Sequence, residues 1–122
     1  MPKFVEMDDR TTVHAQMEQE RGPVILVNQF TVEPDEAEQF LSLWAEDAAI
    51  MKRQPGFISA QMHKGVGSSR VFLNYAVWES MAQFKRAFNH PEFQAKIRMY
   101  PSTVIASPHL FQKIAVPGIC VE

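Results

Sequence analysis

Cysteine is almost missing from this chain. A single thiol, Cys120, excludes an internal disulfide and any cysteine-built zinc cluster. Long apolar runs are missing as well. The strongest, Val24 to Val27, is far too short to span a bilayer, and Met1-Pro2-Lys3-Phe4 lacks the apolar core of a secretory signal. Neither sign of charge is in excess. The formal net charge of -2 gives no electrostatic case for nucleic acid or an anionic membrane as partner. Lys52-Arg53 and Lys85-Arg86 read as solvated helix faces. The chain has no glycine-rich phosphate loop, no nucleophile elbow and no Cys–His pair, and its four histidines lack ligand-like spacing. What remains is a cytoplasmic protein of one domain with no metal site.

Residues 1–22 are rich in Glu, Asp, Gln and Thr and show no sustained period. They read as an N-terminal arm, either disordered or docked on a partner subunit, that ends at Gly22-Pro23. Residues 23–122 form the domain proper. Val24 to Val32 alternates as a strand with both faces largely apolar. Glu33-Pro34-Asp35-Glu36 suits the first turn of a helix, where proline is tolerated and acids meet the positive end of the dipole. Ala37, Phe40, Leu41, Trp44, Ala48 and Met51 make one apolar stripe along that helix, and Gln54-Pro55-Gly56 stops it. Phe57 to Lys64 and Arg70 to Trp78 are strands joined by the turn Gly65-Val66-Gly67-Ser68-Ser69. Ser80 caps a helix carrying Phe84, Ala87 and Phe88. Asn89-His90-Pro91 interrupts it, and Pro91 restarts it through Arg98. Pro101 to Ser107 reads as a loop and Pro108 to about Val116 as a last strand.

The order β-α-β-β-α-β predicts an α+β, ferredoxin-like domain with an antiparallel sheet and both helices on one face. The other face would be bare, although these strands are apolar on both sides. A bare apolar sheet predicts a homodimer packed sheet against sheet.

Within the third strand, Asn74 and Trp78 lie four residues apart and project from the same face. A buried amide needs hydrogen-bond partners, and a neighbouring tryptophan supplies a flat apolar wall. Two readings follow: a pocket for a flat, oxygen-bearing aromatic molecule, or a satisfied core asparagine beside a core tryptophan.

Val24-Ile25-Leu26-Val27-Asn28, Gln54-Pro55-Gly56-Phe57-Ile58-Ser59, Asn74-Tyr75-Ala76-Val77-Trp78-Glu79-Ser80, Phe84 and Pro91-Glu92-Phe93 together resemble the antibiotic biosynthesis monooxygenase family. The resemblance covers roughly residues 23 to 116 and implies a dimeric α+β barrel. One branch of the family oxidises polycyclic phenols to quinones with molecular oxygen and no cofactor. Its pocket residues carry over to Asn74 and Trp78, and a second-strand histidine matches His63. A helix tyrosine of that branch is Phe84 here, and an arginine falls near Ile97 or Arg98. Another branch degrades haem. Asn28 matches its first-strand asparagine, but the positions of its tryptophan and axial histidine hold Ala87 and Ile97.

Oxidation without a cofactor requires a substrate that becomes an electron-rich anion. A base must remove its proton, and fixed donors must hold the resulting charge. The candidates for chemistry are Asn74, Trp78 and His63. Asn28, Phe72, Phe84 and Arg98 are the candidates for binding the aromatic ligand. Each also has an ordinary reading: His63 as an exposed strand residue, Arg98 as a surface charge, and Asn28 and Asn74 as core amides. The function expected is a cofactor-independent monooxygenase acting on an electron-rich aromatic. Haem binding and a non-catalytic ligand-binding dimer are the alternatives.

Overall fold

The computed structural model describes residues 1–122. Five strands form one sheet: β1 Lys3–Phe4, β2 Val24–Thr31, β3 Phe57–Lys64, β4 Val71–Trp78 and β5 Ile105–Phe111. Four helices accompany it: α1 Val13–Gln16, α2 Ala37–Lys52, α3 Met81–Phe88 and α4 Pro91–Ile97. The strand order is β1-β5-β2-β4-β3, and β2, β3, β4 and β5 pair antiparallel. These four strands with α2 and the α3–α4 pair give the expected ferredoxin-like core. The sheet is mixed rather than purely antiparallel, because β1 runs parallel to β5.

Local chemistry sets the helix limits. One turn of 3-10 helix, Pro34–Glu36, precedes α2, with Asp35 and Glu36 at the positive end. Ser80 caps α3: its hydroxyl accepts from the Gln83 N–H and donates to Gln83 Oε1. The α3–α4 break falls at Asn89-His90, and the Nδ1 of His90 accepts the Glu92 N–H at 3.1 Å. His90 is thus occupied as a cap.

The last strand begins earlier than the sequence suggests, at Ile105 instead of Pro108. A mid-strand proline is disfavoured where its N–H would join the ladder. At position 108 an N–H would have no role in pairing with β2, so its absence costs the ladder nothing. The Ala106 carbonyl accepts from Val5 N, and both peptide groups of Leu110 bond Gln16. Residues of that parity therefore turn their polar atoms away from β2, and Pro108 shares the parity.

Residues 1–22, expected to be disordered or docked on a partner, lie against the chain's own sheet. The Met1 nitrogen donates to the carbonyls of Arg98 and Tyr100, each at 3.0 Å. Thr12 caps α1 through the Ala15 N–H. Gln16 then acts as a substitute strand partner on the β5 edge, donating to the Leu110 carbonyl and accepting its N–H.

Two apolar clusters fill the space between sheet and helices. One gathers Trp78, Phe84, Met81 and Met51 with Val13 and Met17 of the N-terminal segment. The other gathers Phe40, Phe30, Phe72 and Tyr100. A cavity separates them.

Candidate functional site

The cavity lies between the sheet and the helices. The space between its walls is about 830 Å³ with the open mouth included, and about 80 Å³ can hold the centre of a water molecule. Of its 22 lining residues 17 are hydrophobic, so each polar group among them stands out.

The sheet contributes one informative rung. Met62, Asn74, Asn28 and Pro108 are partners in register across β3, β4, β2 and β5. The strand period places all four on the cavity side. Asn28 and Asn74 face each other directly, and the Oδ1 of each is buried without a hydrogen-bond partner. Buried amide carbonyls are seldom left unpaired. Two on one rung, both at an apolar cavity, leave a pair of free acceptors among hydrophobic walls. Trp78 continues the same face of β4. It is fully buried and stands edge-on to Phe57 and to Phe84, with centroids 5.4 and 5.7 Å away. Phe84, Phe88 and Phe93 carry the aromatic wall onto α3 and α4.

The structure therefore brings together Asn28, Asn74, Trp78 and Phe84, but not the other sequence candidates. Phe72 is buried on the cavity side of the sheet, yet it packs on Phe40 in the second cluster and does not line the cavity. Arg98 is exposed just past α4, where its carbonyl serves the Met1 nitrogen. His63 is exposed and donates from Nδ1 to the Leu73 carbonyl at 3.2 Å. It sits on the opposite face of the sheet from Asn74. The cause is a bulge at Ile58, where the register steps from Phe57–Trp78 to Ser59–Val77. Counting by twos from Phe57 would bring His63 to the cavity, but the extra residue reverses the parity.

The sequence reading missed Asp47. This carboxylate occupies the buried face of α2, in series with Phe40, Leu43, Ile50 and Met51. An acid at the i+4 position of an apolar stripe is a legible signal, and it went unread because Trp44 and Ala48 also satisfied the helical period. Tyr100 donates its hydroxyl to Asp47 Oδ2 at 2.9 Å. Oδ1 is buried with no partner, and both residues line the cavity. Burial pushes the Asp47 carboxyl up to about 7, against smaller lowering effects of the Tyr100 hydroxyl and the Lys96 charge. Burial and the neighbouring carboxylate push the Tyr100 hydroxyl well above its ordinary range.

No histidine lines the cavity. The haem alternative therefore finds no imidazole for the iron in this space. Nor do any three His, Cys, Asp or Glu side chains converge as a metal site.

The site is thus a ferredoxin-like domain whose apolar cavity presents paired asparagines beside a tryptophan. The comparisons with known proteins agree. The antibiotic biosynthesis monooxygenase model matches residues 23–98, and the chain belongs to that family. It is 39% identical over 70 residues to a deoxynogalonate monooxygenase of Streptomyces nogalater, covering 57% of this chain and 58% of that protein. The chain thus spans under two thirds of that curated relative. Its fold matches the crystal structure of SnoaB, a cofactor-independent oxygenase from Streptomyces nogalater. The TM-score is 0.71 at 30% identity, over 80% of this chain and 99% of SnoaB. A Pseudomonas aeruginosa protein shares the fold at 18% identity, with a TM-score of 0.67 over 80% of this chain and 99% of that one. No helix is long and apolar enough to cross a membrane.

Proposed function

We propose that this protein is a cofactor-independent monooxygenase that converts an electron-rich polycyclic phenol of the anthrone type to a quinone. The observation that carries the reading is the Asn28–Asn74 rung, two buried amide carbonyls without partners at an apolar cavity walled by Trp78. The cavity accepts a flat apolar ring system. The two amides supply acceptors for its hydroxyls and N–H donors for the oxyanion they become. The relatives described as a monooxygenase and as a cofactor-independent oxygenase support the same chemistry.

The reaction balances without an external reductant. Oxidising a ring CH₂ to C=O releases four electrons, which is what one molecule of oxygen needs to give the carbonyl oxygen and one water. Direct reaction of the neutral substrate with triplet oxygen is spin-forbidden. The anion passes a single electron to oxygen readily, and the radical pair then combines. The protein's task is to form and hold that anion in a space from which water is largely excluded.

The active unit is proposed to be a homodimer joined through the outer sheet face, where Val27, Leu73, Tyr75 and Val77 stand side by side on β2 and β4. Tyr75 remains 39% exposed in the single chain. Light scattering that returned a monomer at micromolar concentration would count against this assembly.

The function is tested by oxygen uptake with anthrone in metal-free buffer. One oxygen consumed per quinone formed, with uptake falling steeply in Asn74→Ala, is the expected result. Uptake no faster than in buffer alone would reject the reading.

A further inference from the structure

Asp47 and Tyr100 are the only titratable side chains among the residues that line the cavity. All four imidazoles lie outside it. His63 lies on the far sheet face, His90 caps α4 and His14 packs edge-on to Phe88. His109 is the partner of Val27 on the far sheet face, so its buried and unpartnered Nδ1 does not reach the cavity, and its Nε2 accepts from the Gln16 amide. An oxygenase that must form a substrate anion therefore has one carboxylate in reach of its ligand and no histidine. That carboxylate is held asymmetrically. Oδ2 is fixed by the Tyr100 hydroxyl at 2.9 Å, while Oδ1 is buried and unpartnered.

We propose that Asp47 is the base of this cavity, taking the substrate's proton on Oδ1, with Tyr100 positioning the carboxylate through Oδ2. The inference rests on the oxygenase reading above and assigns its first step. The substrate's acidic O–H or ring C–H bond breaks, and its electron pair stays on the ring system as the anion. The proton goes to Oδ1 and later leaves with the oxygen atom released as water. The carboxylate is restored, so nothing else is consumed. Asn28 and Asn74 hold the anion from the opposite wall.

The charge environment suits the step. Lys96 on α4 faces Asp47 but is itself paired with Glu46 at 3.2 Å. The Met1 nitrogen sits on the Tyr100 carbonyl. The sheet wall offers only the neutral Asn28 and Asn74. Burial among these groups gives Asp47 a proton affinity near that of an imidazole, the range in which a base both loses and accepts a proton at neutral pH.

The experiment uses the whole protein, anthrone as the reactive probe and 1,8-dihydroxyanthraquinone as a probe that binds without being oxidised. Wild-type uptake should rise through a midpoint near pH 7. Asp47→Asn keeps an acceptor for the Tyr100 hydroxyl and removes the base. It should lower kcat by about 100-fold or more and leave binding of the quinone within about two-fold. Tyr100→Phe should retain turnover and move the pH midpoint upward, because the lost hydrogen bond had favoured the charged carboxylate. Turnover in Asp47→Asn within a few-fold of wild type, with an unchanged pH profile, overturns the assignment and leaves the oxygenase reading standing. If wild type consumes no oxygen, the oxygenase reading falls and the quinone probe alone decides on the base. Phenolate colour at pH 7 in wild type but not in Asp47→Asn supports proton transfer to Asp47, and the same colour in both overturns it.

Discussion

Asn28 and Asn74 are direct partners on one rung of the β2–β4 ladder, and neither side-chain carbonyl has a hydrogen-bond partner. A core asparagine that served only the fold would be satisfied by its surroundings. These two are satisfied by nothing in the protein, so replacing either should cost the fold little. Asn28→Ala and Asn74→Ala are each expected to keep the thermal midpoint within a few degrees of wild type. Each should lower kcat/KM by about 100- to 1,000-fold, the order of one lost oxyanion donor. The double variant should lose less than the product of the single effects, because the two amides hold one ligand. A large drop in thermal midpoint with unchanged turnover would return both residues to a structural role.

The buried Asp47 carboxyl makes a separate prediction about stability. In the folded chain it keeps its proton up to about pH 7, whereas the unfolded chain releases it near the ordinary value of 3.8. Between these limits the folded state binds more protons, so stability falls as pH rises through that window. Above pH 7 the burial of this charge costs roughly 4 kcal/mol at most. Asp47→Asn should therefore match wild type near pH 4 and exceed it in urea denaturation at pH 8. Parallel stability curves for the two proteins across pH 4 to 8 would show that Asp47 is not held neutral by the fold. A group kept at a cost to stability fits a role in chemistry better than one in packing.

The alternation of β2 and β4 was readable, because both strands are regular and their period brings Asn74 and Trp78 to one face. The helix limits were readable from Pro34 and Pro91, which act through their own backbone, and from Ser80, which acts through its hydroxyl on the next turn. Long-range features were not. The parity of β3 depends on the bulge at Ile58, and nothing in Phe57-Ile58-Ser59 announces it. Arg98 was placed by a helical alignment, yet α4 ends at Ile97 and turns its successor to solvent. The early start of β5 depends on an edge that tolerates Pro108. Asp47 was the avoidable miss, because the acid on an apolar stripe was visible in the sequence.

Gly56 gives a physical reason for the Pro-Gly-Phe segment. Its φ is +92°, where residues with a side chain are strained. A Cβ placed there would also lie 2.5 Å from the Cβ of Gln83. Gln83 is bonded to the Ser80 hydroxyl that caps α3, and the Gly56 carbonyl accepts from Glu79 N at 2.8 Å. Gly56→Ala should thus disturb the α2–β3 turn and the α3 cap together and destabilise the protein by about 2 kcal/mol or more. Denaturation indistinguishable from wild type would mean that the turn relaxes without disturbing α3.

The N-terminal segment lies outside the stretch matched by the family model, which begins at residue 23, yet Pro2, Phe4 and Val13 line the cavity. Its anchor on the β5 edge is Gln16, whose amide takes both peptide groups of Leu110. Gln16→Ala removes that substitute strand and frees the Leu110 N–H. The expected cost is about 1–3 kcal/mol, with faster hydrogen exchange at Leu110 and at the residues of α1. Loosening α1 also loosens Val13 in the cavity wall, so binding of the quinone probe should weaken several-fold while the Asp47-dependent pH profile keeps its midpoint. Faster exchange without weaker binding would show that the segment braces the sheet edge but does not shape the ligand space. Weaker binding would make residues outside the family's common stretch part of what this chain selects.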